Sequence, residues 1–332
     1  AGYVSEDFQI TEKLEAIAGL RFEKFDLFYT GQNTTKEKLN DANVLDEADL
    51  FPSLNLIYEV NDNTNLRLSY ARSTARPSFK EASNTQIFDP ITNIRFIGNL
   101  KIKPTYVDNF DVRYEIYGDD GGLIAASGFY KDFTDPIEIA VFDESNLNSL
   151  TPKNLGSAEV YGAELEFRKN IGFITPTLNK FSLNSNVSII ESQQQMNPGE
   201  LRARRLAARE GETVDDTRQL QGQSPFLINA GLTYDNEDNG LQTGFYYNVQ
   251  GETLDIVGIG AVPDVYTDPF HSLNFNASKS FGDELEQRIT LGVDNILDDE
   301  IQSFYQSFRA EDALFSNYSP GVEVSLSYSV KF

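Results

Sequence analysis

Polar and apolar residues alternate with a period of two along almost the whole chain. This restricts it to extended strands with one apolar and one wet face, because successive side chains of a strand point to opposite sides. The last segment is the clearest: Val322, Val324, Leu326, Tyr328, Val330 and Phe332 share one face, and Glu323, Ser325, Ser327, Ser329 and Lys331 the other. Upstream, Ile289, Leu291 and Val293 oppose Thr290 and Asp294, and Leu273 and Phe275 oppose Asn274 and Asn276. Phe245 and Tyr247, Ile228 and Leu232, Leu183 and Val187, Tyr161 and Leu165, and Phe110 to Tyr114 repeat the pattern. Weaker versions run through Leu66 to Tyr70, Leu54 to Val60 and Leu14 to Phe22. Residues 123–132 are rich in Gly and Ala on both sides and have no readable inward face. The pattern gives about thirteen strands, beginning with a stub at 3–10.

The connections alternate in length. Short turns rich in Gly, Asn and Asp fall at 11–13, 61–63, 118–122, 235–240 and 282–284, with a longer one near 170–179. Between them lie long segments at 31–50, 73–104, 134–155, 193–224, 251–267 and 297–316. An up-and-down meander collects all short turns at one end and all long loops at the other, the layout of outer-membrane barrels. A soluble sandwich also alternates. Its strands are commonly about five or six residues, whereas these run longer, and nothing would segregate its loops by length. The expectation is an all-β fold: a transmembrane antiparallel up-and-down β-barrel. No apolar run approaches the roughly 18 residues of a membrane helix, but a barrel strand needs only about 9–11 residues, every second one apolar. Tyr58, Tyr234, Tyr328 and Phe332 toward the short turns, and Phe28, Tyr29, Tyr130, Phe226 and Phe270 toward the loops, would form the interfacial girdles.

Composition removes other classes. The net charge of −24 argues against nucleic acid as a partner. With no Cys and a single His, His271, thiolate and multi-histidine metal sites are excluded. His271 shares a face with Leu273 and Phe275 near the loop end, where an interfacial, lipid-facing position is expected rather than catalysis. Asp143-Glu144 and Asp298-Asp299-Glu300 lack the spacing of a calcium loop and read as solvated charge. Nothing calls for a cofactor, and no enzymatic site is expected.

Several stretches carry a family resemblance. The aromatic end at Phe332, with Val324, Leu326, Tyr328 and Val330 at every second position before it, resembles the C-terminal signal by which bacterial outer-membrane proteins are recognised for insertion. Leu68-Ser69-Tyr70-Ala71-Arg72-Ser73-Thr74-Ala75-Arg76-Pro77-Ser78-Phe79, Gly98-Asn99-Leu100-Lys101-Ile102-Lys103-Pro104-Thr105 and Gly128-Phe129-Tyr130-Lys131-Asp132-Phe133 resemble the C-terminal barrel of TonB-dependent receptors. So do Tyr161-Gly162-Ala163-Glu164-Leu165-Glu166 and Gly292-Val293-Asp294-Asn295-Ile296-Leu297-Asp298, and their order and spacing cover the whole chain.

The resemblance implies energised uptake of a scarce solute, such as a ferric chelate, across the outer membrane of a Gram-negative bacterium. It implies a 22-stranded barrel around a plug. It also implies contact with the TonB complex through an N-terminal region, and contact with outer-membrane lipid and lipopolysaccharide. The solute would be a small molecule or an oligomer, and a surface lipoprotein is a further partner it allows. The chain departs from the pattern, since plug, TonB-contacting segment and first strands are absent from residues 1–332, which read as one C-terminal barrel region. The rival functions are a passive porin and a structural barrel subunit of a larger envelope complex. Candidate ligand-binding residues are Arg202, Arg204, Arg205 and Arg209, a basic run favouring a short helix in an acidic protein. Its guanidinium groups could hold an anionic chelate or a lipopolysaccharide phosphate. The alternative is a solvated helical lid neutralised by Glu200, Glu210 and Glu212. Arg76, before Pro77, is a candidate for lining the ligand path, although Pro77 more simply ends a strand.

Overall fold

The computed structural model describes residues 1–32, 36, 38–118, 121–282 and 285–331. Thirteen strands make the main sheet in chain order. They are β1 (Gly2–Thr11), β2 (Leu14–Gln32), β3 (Lys38–Asn61), β4 (Thr64–Ala75), β5 (Thr105–Tyr117), β6 (Leu123–Thr134) and β7 (Ser157–Asn170). β8 (Phe181–Gln195), β9 (Phe226–Asn236), β10 (Leu241–Gln250), β11 (Phe270–Phe281), β12 (Gln287–Asp294) and β13 (Glu323–Val330) complete it. Each pairs antiparallel with its neighbours in sequence, and Thr217–Arg218 adds a short pairing to β8. Among the described residues no ladder joins β1 to β13, so the sheet is open with two unpaired edges.

Register fixes the faces. Tyr70, Phe110, Tyr130 and Tyr161 form one outward row across β4 to β7, with Tyr70 and Phe110 ring centroids 5.0 Å apart. Below it run Leu68, Val112, Gly128, Ala163 and Ile189. The same pairing assigns the 123–132 stretch that composition leaves ambiguous: Ile124, Ala126, Gly128 and Tyr130 point outward. The opposite face is polar. Arg67 and Arg113 both hold Glu115, and Arg113 Nη2 reaches Glu166 Oε2 at 2.7 Å. Farther round, Asn229 donates to Asn186 at 2.6 Å and accepts from Asn248. A continuous apolar exterior around a hydrogen-bonding interior is the inverse of a soluble protein and the signature of a barrel wall in lipid.

Two expectations change. The segment 31–50 is mostly strand: β3 begins at Lys38, and β2–β3 form a ribbon of 19 and 24 residues. Its upper part has no apolar outer face, because it stands above the membrane with water outside, so alternation cannot reveal it. Charged neighbours such as Lys24 and Asp26, 2.8 Å apart, occupy that face. Tyr29 does not join the lipid girdle. The ladder slips on both sides of it, and its hydroxyl turns to Asn84 Oδ1 at 2.5 Å.

The long loops are built, not loose. Gln86–Asp89, Ile94–Ile97, Asn146–Asn154 and Ile137–Asp143 form one four-stranded sheet. Thr253–Ile256, Asp264–Thr267, Ile301–Gln306 and Ala313–Tyr318 form another. A parallel bridge between Ala140 and Val257 joins them, with Val141 N–H donating to Val257 O at 2.9 Å. Apart from one on the loop-end of β7 and β8 (Ala158, Val160 and Ile190 with Leu220), the buried apolar clusters gather above the wall: Val141, Leu150, Ile256, Val262 and Val265 in one, Ala140, Leu155, Leu254 and Val257 in a second. A third packs Ala82 and Ile102 onto Leu27 and Leu45 of the ribbon. The wall leaves its apolar side to lipid, so most of the protein's own core lies in the dome and at the wall's loop-end rim.

This sidedness is checkable with single cysteines, since the chain has no native thiol. Leu206→Cys, exposed in the dome, is expected to react with an impermeant maleimide on intact cells. Asp62→Cys, in the β3–β4 turn, is expected to stay unlabelled. The reverse pattern would invert the topology.

Candidate functional site: a loop-end vestibule

The helix expected from the arginine run is α1 (Pro198–Ala207), set between β8 and β9. Asn197 caps it, accepting from the Gly199 and Glu200 amides at 3.0 Å each, and Pro198 fills the first turn, where no N–H partner is needed. Glu200 in the first turn and Arg204 and Arg205 in the last suit the helix dipole. Arg209 lies beyond the helix end.

α1 is bolted down by a chain of five alternating charges. Arg218 grips Glu138 with two parallel bonds, Nη1 to Oε1 at 2.8 Å and Nη2 to Oε2 at 2.7 Å. Its Nε reaches Glu200 Oε1 at 2.7 Å. Arg204 meets the same Glu200 oxygen at 3.2 Å and forks onto Asp264 at 2.7 and 2.9 Å. The Glu138 and Arg218 side chains are 1% and 5% exposed. Burial alone would lower both arginine pKa values, but hydrogen bonds and charge from Glu138 for Arg218, and from Asp264 for Arg204, outweigh it and hold both above their ordinary value. Register places Lys153 opposite Glu138 on the 137–154 hairpin. Lys153 donates to Val141 O at 3.0 Å, and burial lowers its pKa despite Glu200 nearby.

Beside this network, α1, the segment 207–217, residues 260–266 and residues 306–312 line a polar, solvent-open cavity of about 510 Å³. Its charged lining is Arg204 and Arg209 against Glu212, Asp215, Asp264 and Asp312. Arg209 Nη1 donates to Phe308 O at 2.9 Å, tying the segment after α1 to the far wall. Tyr266 also lines it; burial, with Asp264 nearby, pushes its hydroxyl up to about 12, so it stays a neutral donor at physiological pH.

The candidate arginines are therefore dispersed. Arg204 and Arg209 line the cavity, while Arg202 and Arg205 are exposed on α1 outside it. Arg76 lies elsewhere, on the inner side of the ribbon, 2.7 Å from Glu23 Oε2 and over the Phe25 ring at 4.8 Å. The residues that sequence reading missed are Glu138, Arg218 and Asp264. Ile137-Glu138-Ile139 carried a faint signal, an acid set opposite two isoleucines, whereas Arg218 and Asp264 carried none. Of the acidic runs, Asp143 caps a turn by accepting from Ser145 N and Oγ, and Asp299 accepts the His271 amide at 2.7 Å. The His271 ring bonds the Tyr247 hydroxyl at 2.7 Å. Val324, Leu326, Tyr328 and Val330 share the outward face of β13 and are exposed; Phe332, the end of the insertion signal, lies outside the described residues.

An open antiparallel wall with an apolar exterior, short turns at one end and a loop dome at the other defines the class: a bacterial outer-membrane β-barrel of the receptor type. Residues 1–296 match the family described as TonB dependent receptor-like, beta-barrel, and the chain belongs to that family of Gram-negative outer-membrane receptors and transporters. Among solved structures it resembles the ferric yersiniabactin uptake receptor FyuA of Yersinia pestis, with 16% identity and a TM-score of 0.64 over 99% of this chain and 45% of that one. It also resembles the siderophore receptor PirA of Pseudomonas aeruginosa, with 14% identity and a TM-score of 0.59 over 99% and 47%. The FrpB iron transporter of Neisseria meningitidis aligns with 14% identity and a TM-score of 0.58 over 99% and 44%. At these identities the likeness is one of fold, and the chain spans less than half the length of the receptors it matches. No curated protein matches significantly in sequence.

Proposed function

We propose that residues 1–332 are the later part of the barrel of an energised outer-membrane receptor that imports a scarce solute, a ferric chelate being the first candidate. The pair of free edges carries this reading. Among the described residues, β1 presents ten residues and β13 eight with no strand beyond them. Unpaired backbone N–H and C=O groups in hydrocarbon cost several kcal/mol each, so a membrane sheet must close on itself. An odd number of strands cannot close an up-and-down antiparallel meander without a parallel seam. The remaining strands of a 22-stranded ring, the plug and the TonB-contacting segment then come from sequence outside residues 1–332. Arg202, Arg204, Arg205, Arg209 and Arg76 remain candidates for cargo contact, Arg204 and Arg209 through the vestibule. Lipopolysaccharide and a surface lipoprotein are proposed neighbours of the outer wall and the dome.

The test is uptake of a radiolabelled ferric chelate by iron-starved cells carrying the full-length receptor. Import that saturates, disappears on deletion of the gene and stops when a protonophore collapses the proton gradient is expected. Non-saturable entry limited only by solute size and indifferent to the protonophore would replace this reading with the porin.

A further inference from the structure

We infer that the vestibule beside α1 selects cargo that is neutral or positively charged and disfavours anions, the opposite of what the arginine run suggests. This inference rests on the receptor reading above and concerns the charge class of its cargo.

Toward the cavity the run presents little free positive charge. Arg204 is the only arginine of α1 lining the cavity, and Glu200 and Asp264 both engage it. Arg202 and Arg205 project from the exposed side of the helix, outside the lining. Arg209, the second guanidinium of the lining, is held by the Phe308 carbonyl. The carboxylates are less engaged. Asp215 and Asp312 have no cationic partner among the described residues, and Glu212 accepts only the Arg209 backbone amide, at 2.8 Å. The cavity is therefore lined by two guanidinium groups against four carboxylates, with polar groups such as the Tyr266 hydroxyl and Gln306 between them.

An anion entering this space meets a net negative lining, because Arg204 is neutralised by Glu200 and Asp264, and the charges of Arg209 and of Arg309, which stacks on Phe308 outside the lining, are outnumbered by the carboxylates. A cation or a neutral polyamide or hydroxamate meets free carboxylate acceptors instead. The cavity is open to solvent, so screening over roughly 8 Å at physiological ionic strength limits the effect to about tenfold between oppositely charged probes.

The experiment is equilibrium binding to the purified full-length receptor. The probes are a cationic ferric trihydroxamate and an anionic ferric tris-catecholate, compared at low and physiological salt. The cationic probe is expected to bind about tenfold tighter at physiological salt, with a larger ratio at low salt. In Asp215→Asn/Asp312→Asn the preference should shrink severalfold. Neither residue holds an ion pair, so folding is not at stake, and unchanged heat-modifiable gel mobility will confirm it. Tighter binding of the catecholate, or a preference untouched by the double substitution, overturns the charge assignment and leaves the receptor reading standing. Binding of neither chelate, together with loss of the uptake result above, brings down the receptor reading itself.

Discussion

Arg218→Met is expected to destabilise the loop dome by about 3–5 kcal/mol, because removing one partner of a buried ion pair strands the other charge. Glu138 would keep only the Gln221 amide at 3.1 Å in place of two guanidinium bonds. Glu200 would lose its 2.7 Å bond from Arg218 Nε while its Oε2 already has no hydrogen-bond partner. The damage should be local, since Arg218 joins the 137–154 hairpin, α1 and β8 but touches no outward-facing residue. Amide exchange around Ala140, Leu254 and Val257 should accelerate strongly, with exchange in β9 to β12 unchanged. The double substitution Arg218→Met/Glu138→Leu should recover much of the loss, since it leaves no stranded charge. A double variant as damaged as the single one would mean the pair acts through shape rather than charge.

Leu291→Arg and Thr290→Arg should separate by about 2–4 kcal/mol, the penalty for a cation on the lipid face near the midplane of a barrel. These adjacent residues of β12 lie on opposite faces. Leu291 stands in register with Ala277 and Leu326 on the outward side, and Thr290 with Ser278 and Ser327 on the inward side. Refolding titrations of the full-length receptor into lipid give the two energies. Equal losses at the two positions would mean that β12 is not part of a membrane wall.

The wall was legible in sequence because lipid imposes a strict rule on it. Every second residue from Phe110 to Ile116, or from Val322 to Val330, must be apolar, and no tertiary contact relaxes this. The register added only what small side chains concealed, such as the outward aim of Ala126 and Gly128. Above the membrane the rule lapses. The β3 start at Lys38 pairs with nearby Gln32 but has water on both faces, and the two loop sheets draw on partners far away in sequence, such as Ala140 with Val257, so neither leaves a periodicity to read. The vestibule was half legible. A basic helix was visible, but whether its charges were free depended on Glu138, Arg218 and Asp264, which converge only in three dimensions. Charge composition along a loop reports what is present and is silent about which charges have already found each other.

The β2–β3 ribbon has a mechanical side. A barrel strand crosses the membrane in about 9–11 residues, so the 19-residue strand of the ribbon extends roughly 30 Å beyond it at about 3.4 Å per residue, and its 24-residue partner reaches at least as far. Ala82 and Ile102 are glued to its inner side at Leu27 and Leu45, and Arg76 is pinned there to Glu23. The ribbon is thus a lever whose short arm is embedded in the wall and whose long arm carries the 76–104 segment. Pulling that segment aside would peel four apolar side chains into water, so a load on it is transmitted down the ladder into the barrel wall.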